Sequence, residues 1–188
     1  MAAIAAAGVC GWSEVERTQP APLPSNAGPA ADAAVDMPLD RITGPFAVTK
    51  VVDGDTIWVD RQGTREKIRL IGVDTPETVD RRKGVQCFGI AASDHTKQVL
   101  TGQSVFLESD PSQSSTDRYG RELAYVWLQD GSLVNLGLIA QGFAHEYTYD
   151  VPYRYRDQFQ AAEADARTHQ RGLWSPTTCA GVTDSGSR

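Results

Sequence analysis

The sequence predicts a mainly β, α+β fold: a five-stranded barrel with about three helices on its flank. Three observations predict it. Five short runs rich in β-branched and aromatic residues are punctuated by turn residues, a helical period follows the third run, and two more helical stretches follow the fifth. The chain has 188 residues, 40% of them hydrophobic and 22% charged, which is globular composition with room for one domain rather than two.

The elements can be taken in order. FAVTKVV from Phe46, the turn dipeptide Asp53-Gly54, and DTIWV from Asp55 read as strand, turn and strand; EKIRLIGV from Glu66 is the third run. From Gly84 to Leu100 the apolar positions Val85, Phe88, Ala91, Ala92 and Val99 recur at roughly helical spacing, and Gly102 closes the segment. SVFLES from Ser104 and RELAYVWL from Arg121 are the fourth and fifth runs, separated by the polar loop DPSQSSTDRYG. LVNLGLIAQG and RDQFQAAEADARTH then read as two helices, and no internal repeat is apparent.

Residues 1–40 follow a different grammar. They hold eleven alanines and five of the ten prolines, with no hydrophobic period able to bury a face, so they are expected to be a disordered leader or linker. The folded domain is expected over 41–180, with a flexible tail over 181–188. MAAIAAAGVCG is too short to span a membrane and lacks a basic start, as an incomplete targeting segment would; Gly8-Val9-Cys10 fits a lipidation site poorly.

Formal net charge is −6, which excludes a chain that coats nucleic acid through overall positive charge. Four of those net negative charges belong to residues 1–40, so the rest is nearly neutral at −2. Between Arg61 and Lys83, seven basic residues stand among four acidic ones, enough for a local phosphate-attracting surface or simply a solvated face. The three cysteines and three histidines form no CxxC or Cys/His cluster, so a structural zinc site has no support. Inert thiols are one reading of the cysteines. In an oxidising compartment Cys87 and Cys179 could instead join the C-terminal segment to the body, leaving Cys10 unpaired.

The acidic residues then stand out. Asp53 and Asp55 flank Gly54, and Asp74 and Glu77 sit in VDTPET directly after the third strand. Such carboxylates repel unless a cation or basic side chains neutralise them; oxygen ligands suit Ca2+ or Mg2+, and Arg69 and Arg121 are nearby candidates. Ordinary turn chemistry is the alternative for Asp53 and Asp74.

VVDGDTIWV, IRLIGVDTPET, KGVQCFGIAAS, TDRYGRELAYV, LVNLGLIAQGFA and GLWS, in this order and at these separations, resemble the thermonuclease, or staphylococcal nuclease-like, family from about Phe46 to Trp174. Each motif alone is weak; the ordered set is specific. The resemblance implies an OB-fold barrel with three helices that cuts DNA and RNA with Ca2+. It implies Asp55 and Asp74 as metal-binding carboxylates, the Thr75 carbonyl as a further ligand, Glu77 beside the attacking water, and Arg69 and Arg121 on the phosphate. It also implies Arg118 and Tyr119 at a terminal phosphate, Lys83 in a basic loop near substrate, and Tyr147 with neighbouring Tyr149 as nucleoside-stacking residues. Arg118 stands where well-known members carry lysine, which keeps the charge and changes the donor geometry. Asp53 is expected to support the metal site without ligating it.

The chemistry makes independent sense of this set. Attack of water on a phosphodiester builds negative charge on the phosphate and leaving oxygens, which a cation and two guanidinium forks stabilise. The expected reaction is direct water attack leaving 3′-phosphate and 5′-hydroxyl ends. The expected partners are single-stranded or locally opened DNA and RNA, bound by a monomeric, secreted or envelope-associated bacterial protein. The competing reading is a noncatalytic nucleic-acid or protein-binding module on the same fold.

Overall fold

The computed structural model describes residues 35–78 and 84–183. Within them the chain forms β1 (Ile42–Val51), β2 (Thr56–Arg61), β3 (Thr64–Leu70), β4 (Val73–Asp74), α1 (Gly89–Leu100), β5 (Ser104–Glu108), β6 (Glu122–Trp127), α2 (Val134–Ala140), β7 (His145–Glu146), α3 (Arg156–Thr168) and a 3-10 turn at Gly172–Trp174.

Five strands close into a barrel in the order β1-β2-β3-β6-β5. Closure depends on β1, whose ten residues pair with β5 at one end and β2 at the other, with register shifts between Thr43 and Phe46 and between Val48 and Lys50. Such irregularities bend and twist a strand enough to serve two neighbours around a tight curve. The β3–β6 pair is parallel, and the other barrel pairs are antiparallel. Alternate residues of the strands, Ile57, Val59, Ile68, Leu70, Val105, Leu107, Ala124 and Val126, are buried in the core. Beside the barrel, Tyr125, Trp127, Tyr155 and Phe159 form an aromatic layer, with Tyr125 and Tyr155 meeting edge to face at 4.7 Å.

Asn135 joins α2 to the barrel. Its side chain is fully buried, with Oδ1 accepting from Val126 N–H at 2.8 Å and Nδ2 donating to the Ile71 carbonyl at 2.9 Å. A polar side chain in the core is stable there because it satisfies backbone groups that would otherwise be stranded. The bond to Ile71 also fixes the chain just before the acidic loop.

The structure differs from expectation at three element boundaries. The first helix starts at Gly89 rather than Gly84: Phe88 takes a left-handed conformation at φ 68°, which interrupts helical geometry, and Val85 is exposed. Val35 and Met37, assigned by composition to the leader, pack against the core, and the Pro38 carbonyl accepts from Arg41 N–H at 2.9 Å. The tail's first residues are also tied down, since the Thr183 carbonyl accepts from Cys87 N–H at 3.2 Å. Cys87 and Cys179 are disulfide-bonded across 92 positions of sequence. Lys83, with Arg81 and Arg82, lies outside the described residues, as do residues 1–34, including Cys10, and 184–188. No helix among the described residues is long and apolar enough to cross a membrane.

Candidate active site

The site gathers at one end of β2 and β3. Leu70 N–H donates to the Asp55 carbonyl at 3.0 Å, which holds the turn before β2 against the end of β3, and the pairing Thr56↔Arg69 sets those two side chains on one face. α1 braces the turn from behind: Thr96 Oγ1 donates to the Gly54 carbonyl at 2.8 Å. Gly54 is required by close approach rather than by its φ, since a Cβ there would lie 2.6 Å from Thr75 Cγ2.

Asp55 is buried and fully engaged. Its Oδ2 accepts from Thr75 N–H and Thr75 Oγ1, both at 3.1 Å, and pairs with Arg69 Nη2 at 3.2 Å; its Oδ1 accepts from Thr56 Oγ1 at 2.9 Å. The same Arg69 nitrogen reaches Asp74 Oδ1 at 3.4 Å, while Arg69 Nη1 donates to the carbonyls of Leu70 (2.9 Å) and Val73 (2.5 Å). Arg69 is thus a largely buried guanidinium, 14% exposed, held between two carboxylates and two carbonyls. Asp53 lies in the same turn, its Oδ1 accepting from Asp55 N–H at 3.3 Å, and burial, with the Asp55 charge adding to it, pushes its carboxyl up to about 7.

Arg121 joins the group through Thr56, to whose hydroxyl its Nη1 donates at 3.3 Å. Asp117 aims it: Oδ2 accepts from Arg121 Nε at 2.6 Å, and Oδ1 accepts from the N–H groups of Arg121 (3.0 Å) and Tyr119 (2.9 Å). Partial burial opposes ionisation of Asp117, but these donors outweigh it and hold the carboxyl below the usual carboxylate range. Tyr119, 66% exposed, lies under both neighbouring guanidiniums, with Arg118 at 4.9 Å and Arg121 at 5.4 Å from its ring centre.

Glu77 is positioned by the segment leading into α1. Its N–H donates to Gln86 Oε1 at 2.6 Å, its carbonyl accepts from Gln86 N–H at 2.9 Å, and its own Oε1 accepts from Thr78 N–H at 2.8 Å. A Cβ on Gly89 would lie 2.8 Å from the Glu77 carbonyl, so the helix start packs directly on this loop.

The aromatic segment arrives through a two-residue ladder. β4 and β7 pair with Val73 opposite Glu146 and Asp74 opposite His145, and Tyr147 N–H donates to the Gly72 carbonyl at 3.1 Å. Tyr147 and Tyr149 are 45% and 73% exposed with ring centres 6.3 Å apart. Arg118 is held above its ordinary value by its hydrogen bond to Tyr119, with Tyr149 and Tyr147 contributing through their charges, so the three tyrosines and Arg118 share one neighbourhood.

Asp55, Asp74, Thr75, Arg69 and Arg121 therefore converge, with Tyr119, Tyr147 and Tyr149 at the rim. Three further residues were not singled out by sequence reading: Thr56, Asp117 and Thr96. The first two look like ordinary turn residues in DGDT and TDRYG, and the third like a helix-interior polar residue. The donor set fits a hard divalent cation. Asp55 and Asp74 point carboxylate oxygens at one positive nitrogen, and every candidate donor is oxygen. Among the described residues no three His, Cys, Asp or Glu side chains cluster as a metal cage, so an ion here would complete its shell from carbonyl, water and phosphate oxygens.

Comparison with known proteins matches residues 67–176 to the family described as staphylococcal nuclease homologue. The chain is 44% identical over 130 residues to a thermonuclease of Staphylococcus hyicus, covering 69% of this chain and 75% of that protein. It is 45% identical over 129 residues to a thermonuclease of Staphylococcus intermedius, with the same coverage. An SPbeta prophage-derived endonuclease, YokF, of Bacillus subtilis (strain 168) is 37% identical over 153 residues, 81% of this chain and 47% of that protein.

Proposed function

Because the chain belongs to the staphylococcal nuclease homologue family, we propose that it is a nuclease, and more specifically a Ca2+-dependent endonuclease acting on single-stranded or locally opened DNA and RNA. One observation carries the reading. Two guanidiniums, Arg69 and Arg121, are coupled through Thr56 and Asp55 into one hydrogen-bonded group that also includes Asp74, so cationic forks for a phosphate stand beside carboxylates for a metal.

Asp55, Asp74 and the Thr75 carbonyl are the residues that would hold Ca2+, which when bound supplies charge for the phosphate oxygens and orients a water. Arg69 and Arg121 stabilise the charge that grows on phosphate as the water oxygen attacks and the bond from phosphorus to the 5′ oxygen breaks, leaving 3′-phosphate and 5′-hydroxyl ends. Glu77 accepts the water's proton or fixes the water's position. Asp53 supports the metal turn from behind. Arg118, Tyr119, Tyr147 and Tyr149 receive a terminal phosphate and an unstacked nucleoside, and Lys83 adds positive charge near the substrate. The disulfide supports a secreted or envelope location, where such bonds persist. We take the active species to be a monomer.

The test is digestion of single-stranded DNA, duplex DNA and RNA with Ca2+, Mg2+ or chelator, using the wild type, Glu77→Gln and Arg121→Ala, with analysis of product ends. Ca2+-dependent cleavage giving 3′-phosphates, reduced by both substitutions, is the expected result. 5′-Phosphate ends or a covalent protein–nucleotide adduct would overturn the mechanism. No turnover in any condition would return the protein to the binding-module class.

A further inference from the structure

Outside the site just described, the outer face of β2 and β3 carries a feature that no catalytic role uses. Strand alternation sends Ile57, Val59, Ile68 and Leu70 into the barrel, so Trp58 and Asp60 of β2 and Arg65 and Lys67 of β3 face outward, beyond the largely covered pair Thr56 and Arg69 that belongs to the site. Register adds Lys50 of β1 directly opposite Trp58, and Lys67 opposite it on the other side. Trp58 is therefore a half-buried indole set between cations: Arg65 lies 5.5 Å and Lys67 5.9 Å from its ring centre. Two carboxylates lie nearby, and of these Asp60 stands directly opposite Arg65 on the same face. Glu66 pairs with Arg61 at 2.8 Å, and Asp60 caps the β2–β3 turn by accepting from Gly63 N–H at 2.6 Å.

This stripe is continuous with the catalytic group. Arg69, Lys67 and Arg65 succeed one another at every second residue of one strand, about 7 Å apart, and Arg69 is the residue already paired with Asp55 and Asp74. A chain carrying a net charge of −6 that concentrates cations beside an aromatic ring on one strand face has built a surface complementary to a polyanion with flat bases. The outer face of strands two and three is also where barrels of this topology present oligonucleotide-binding surface.

We propose that the face formed by Lys50, Trp58, Arg65 and Lys67 is an extended subsite for the single-stranded flank of the substrate, outside the catalytic cleft. Trp58 offers a stacking platform for a base, and the three cations meet the phosphates on either side. The proposal rests on the nuclease reading for its place in substrate recognition, but the binding it asserts can be measured without turnover. The subsite raises affinity for longer strands and leaves the chemical step untouched.

The experiment uses the full chain and a fluorescent oligothymidylate of about 15 nucleotides, with binding read by anisotropy in chelator. Trp58→Ala is expected to weaken binding about tenfold and Trp58→Phe to retain most of it. Arg65→Glu combined with Lys67→Glu, on exposed or half-buried positions, is expected to lower the slope of log affinity against log salt by about 1.4, the loss of two phosphate contacts. In the presence of Ca2+, KM for the long strand should rise in these variants, while kcat and cleavage of a trinucleotide stay at wild-type values. Unchanged binding and salt slope in these variants would overturn the subsite, as would an equal loss on trinucleotide and long strand. Binding that depends on Trp58 in a protein that cleaves nothing would uphold the subsite and defeat the nuclease reading.

Discussion

Asp117 grips Arg121 twice, through the guanidinium Nε at 2.6 Å and through the backbone N–H at 3.0 Å. The carboxylate that orients the arginine thus also shapes the turn that carries it. On the proposed function, in which Arg121 acts on charge that develops in the transition state, Asp117→Ala is expected to lower kcat about tenfold with a smaller change in KM. Arg121→Ala should cost more, and the double variant should be no worse than Arg121→Ala alone. Steady-state kinetics on single-stranded DNA reads the cycle; full additivity would contradict the coupling.

Thr56 is the hydroxyl shared by Arg121 and Asp55. Thr56→Val keeps the shape and removes the link. Metal affinity, measured by titration calorimetry with Ca2+, is expected to fall about tenfold, in the range found when residues supporting metal ligands are removed. Arg69→Lys should also lose activity, since a single ammonium cannot reproduce its contacts to Asp55, Asp74 and two carbonyls at once.

Gly54→Ala sets a methyl against the Thr75 side chain, which is β-branched and anchored to Asp55 by its hydroxyl. Something must shift, and the atoms available to shift belong to the candidate metal site. The expected result is a thermal midpoint lower by about 3–8 °C together with a larger proportional loss of activity, seen by comparing melting curves with initial rates.

Reducing the Cys87–Cys179 bond, or replacing both cysteines by serine, is expected to destabilise the fold by about 2–4 kcal/mol. Activity should fall well below the melting range, because Cys87 adjoins Gln86, the residue that receives the Glu77 N–H. Denaturant melts and activity with and without a thiol reductant test both statements.

Asp110 contributes stability that is lost in acid. Burial resists its ionisation, but donors from Arg154 N–H (2.7 Å), Tyr125 OH (2.7 Å) and Ser112 outweigh it and hold the carboxyl below the usual range. The folded state therefore binds fewer protons at this group than the unfolded chain near the ordinary aspartate pKa of about 3.9. Its stabilisation is full above about pH 5 and is lost as pH falls through the depressed value. Asp110→Asn should lower the melting temperature by about 5 °C at pH 7, and the gap should narrow at pH 3.

The sequence made the barrel legible because runs rich in β-branched and aromatic residues are separated by turns that carry Gly and Asp. Arg69, Asp55 and Asp74 were legible because acids and arginine cluster near strand ends. The start of α1 was misread because Gly84, Val85 and Phe88 continue a helical spacing that the left-handed backbone of Phe88 interrupts. The β4–β7 ladder is two residues long, too short to leave any periodic signal, yet it brings the tyrosine segment beside Asp74. Thr56 and Asp117 were missed because their value lies in contacts across 65 and four positions, while their immediate neighbours suggest only turns.

Asn135 stitches β6 to the chain end of β3, and Tyr147 hangs from Gly72. Each is a bond between an early segment and one made much later. On the proposed function, a growing polypeptide emerging from the ribosome carries Asp55 and Asp74 long before it carries Arg121, Asn135 and Tyr147. The order of synthesis thus leaves the site incomplete until the chain has been made through residues 121, 135 and 147.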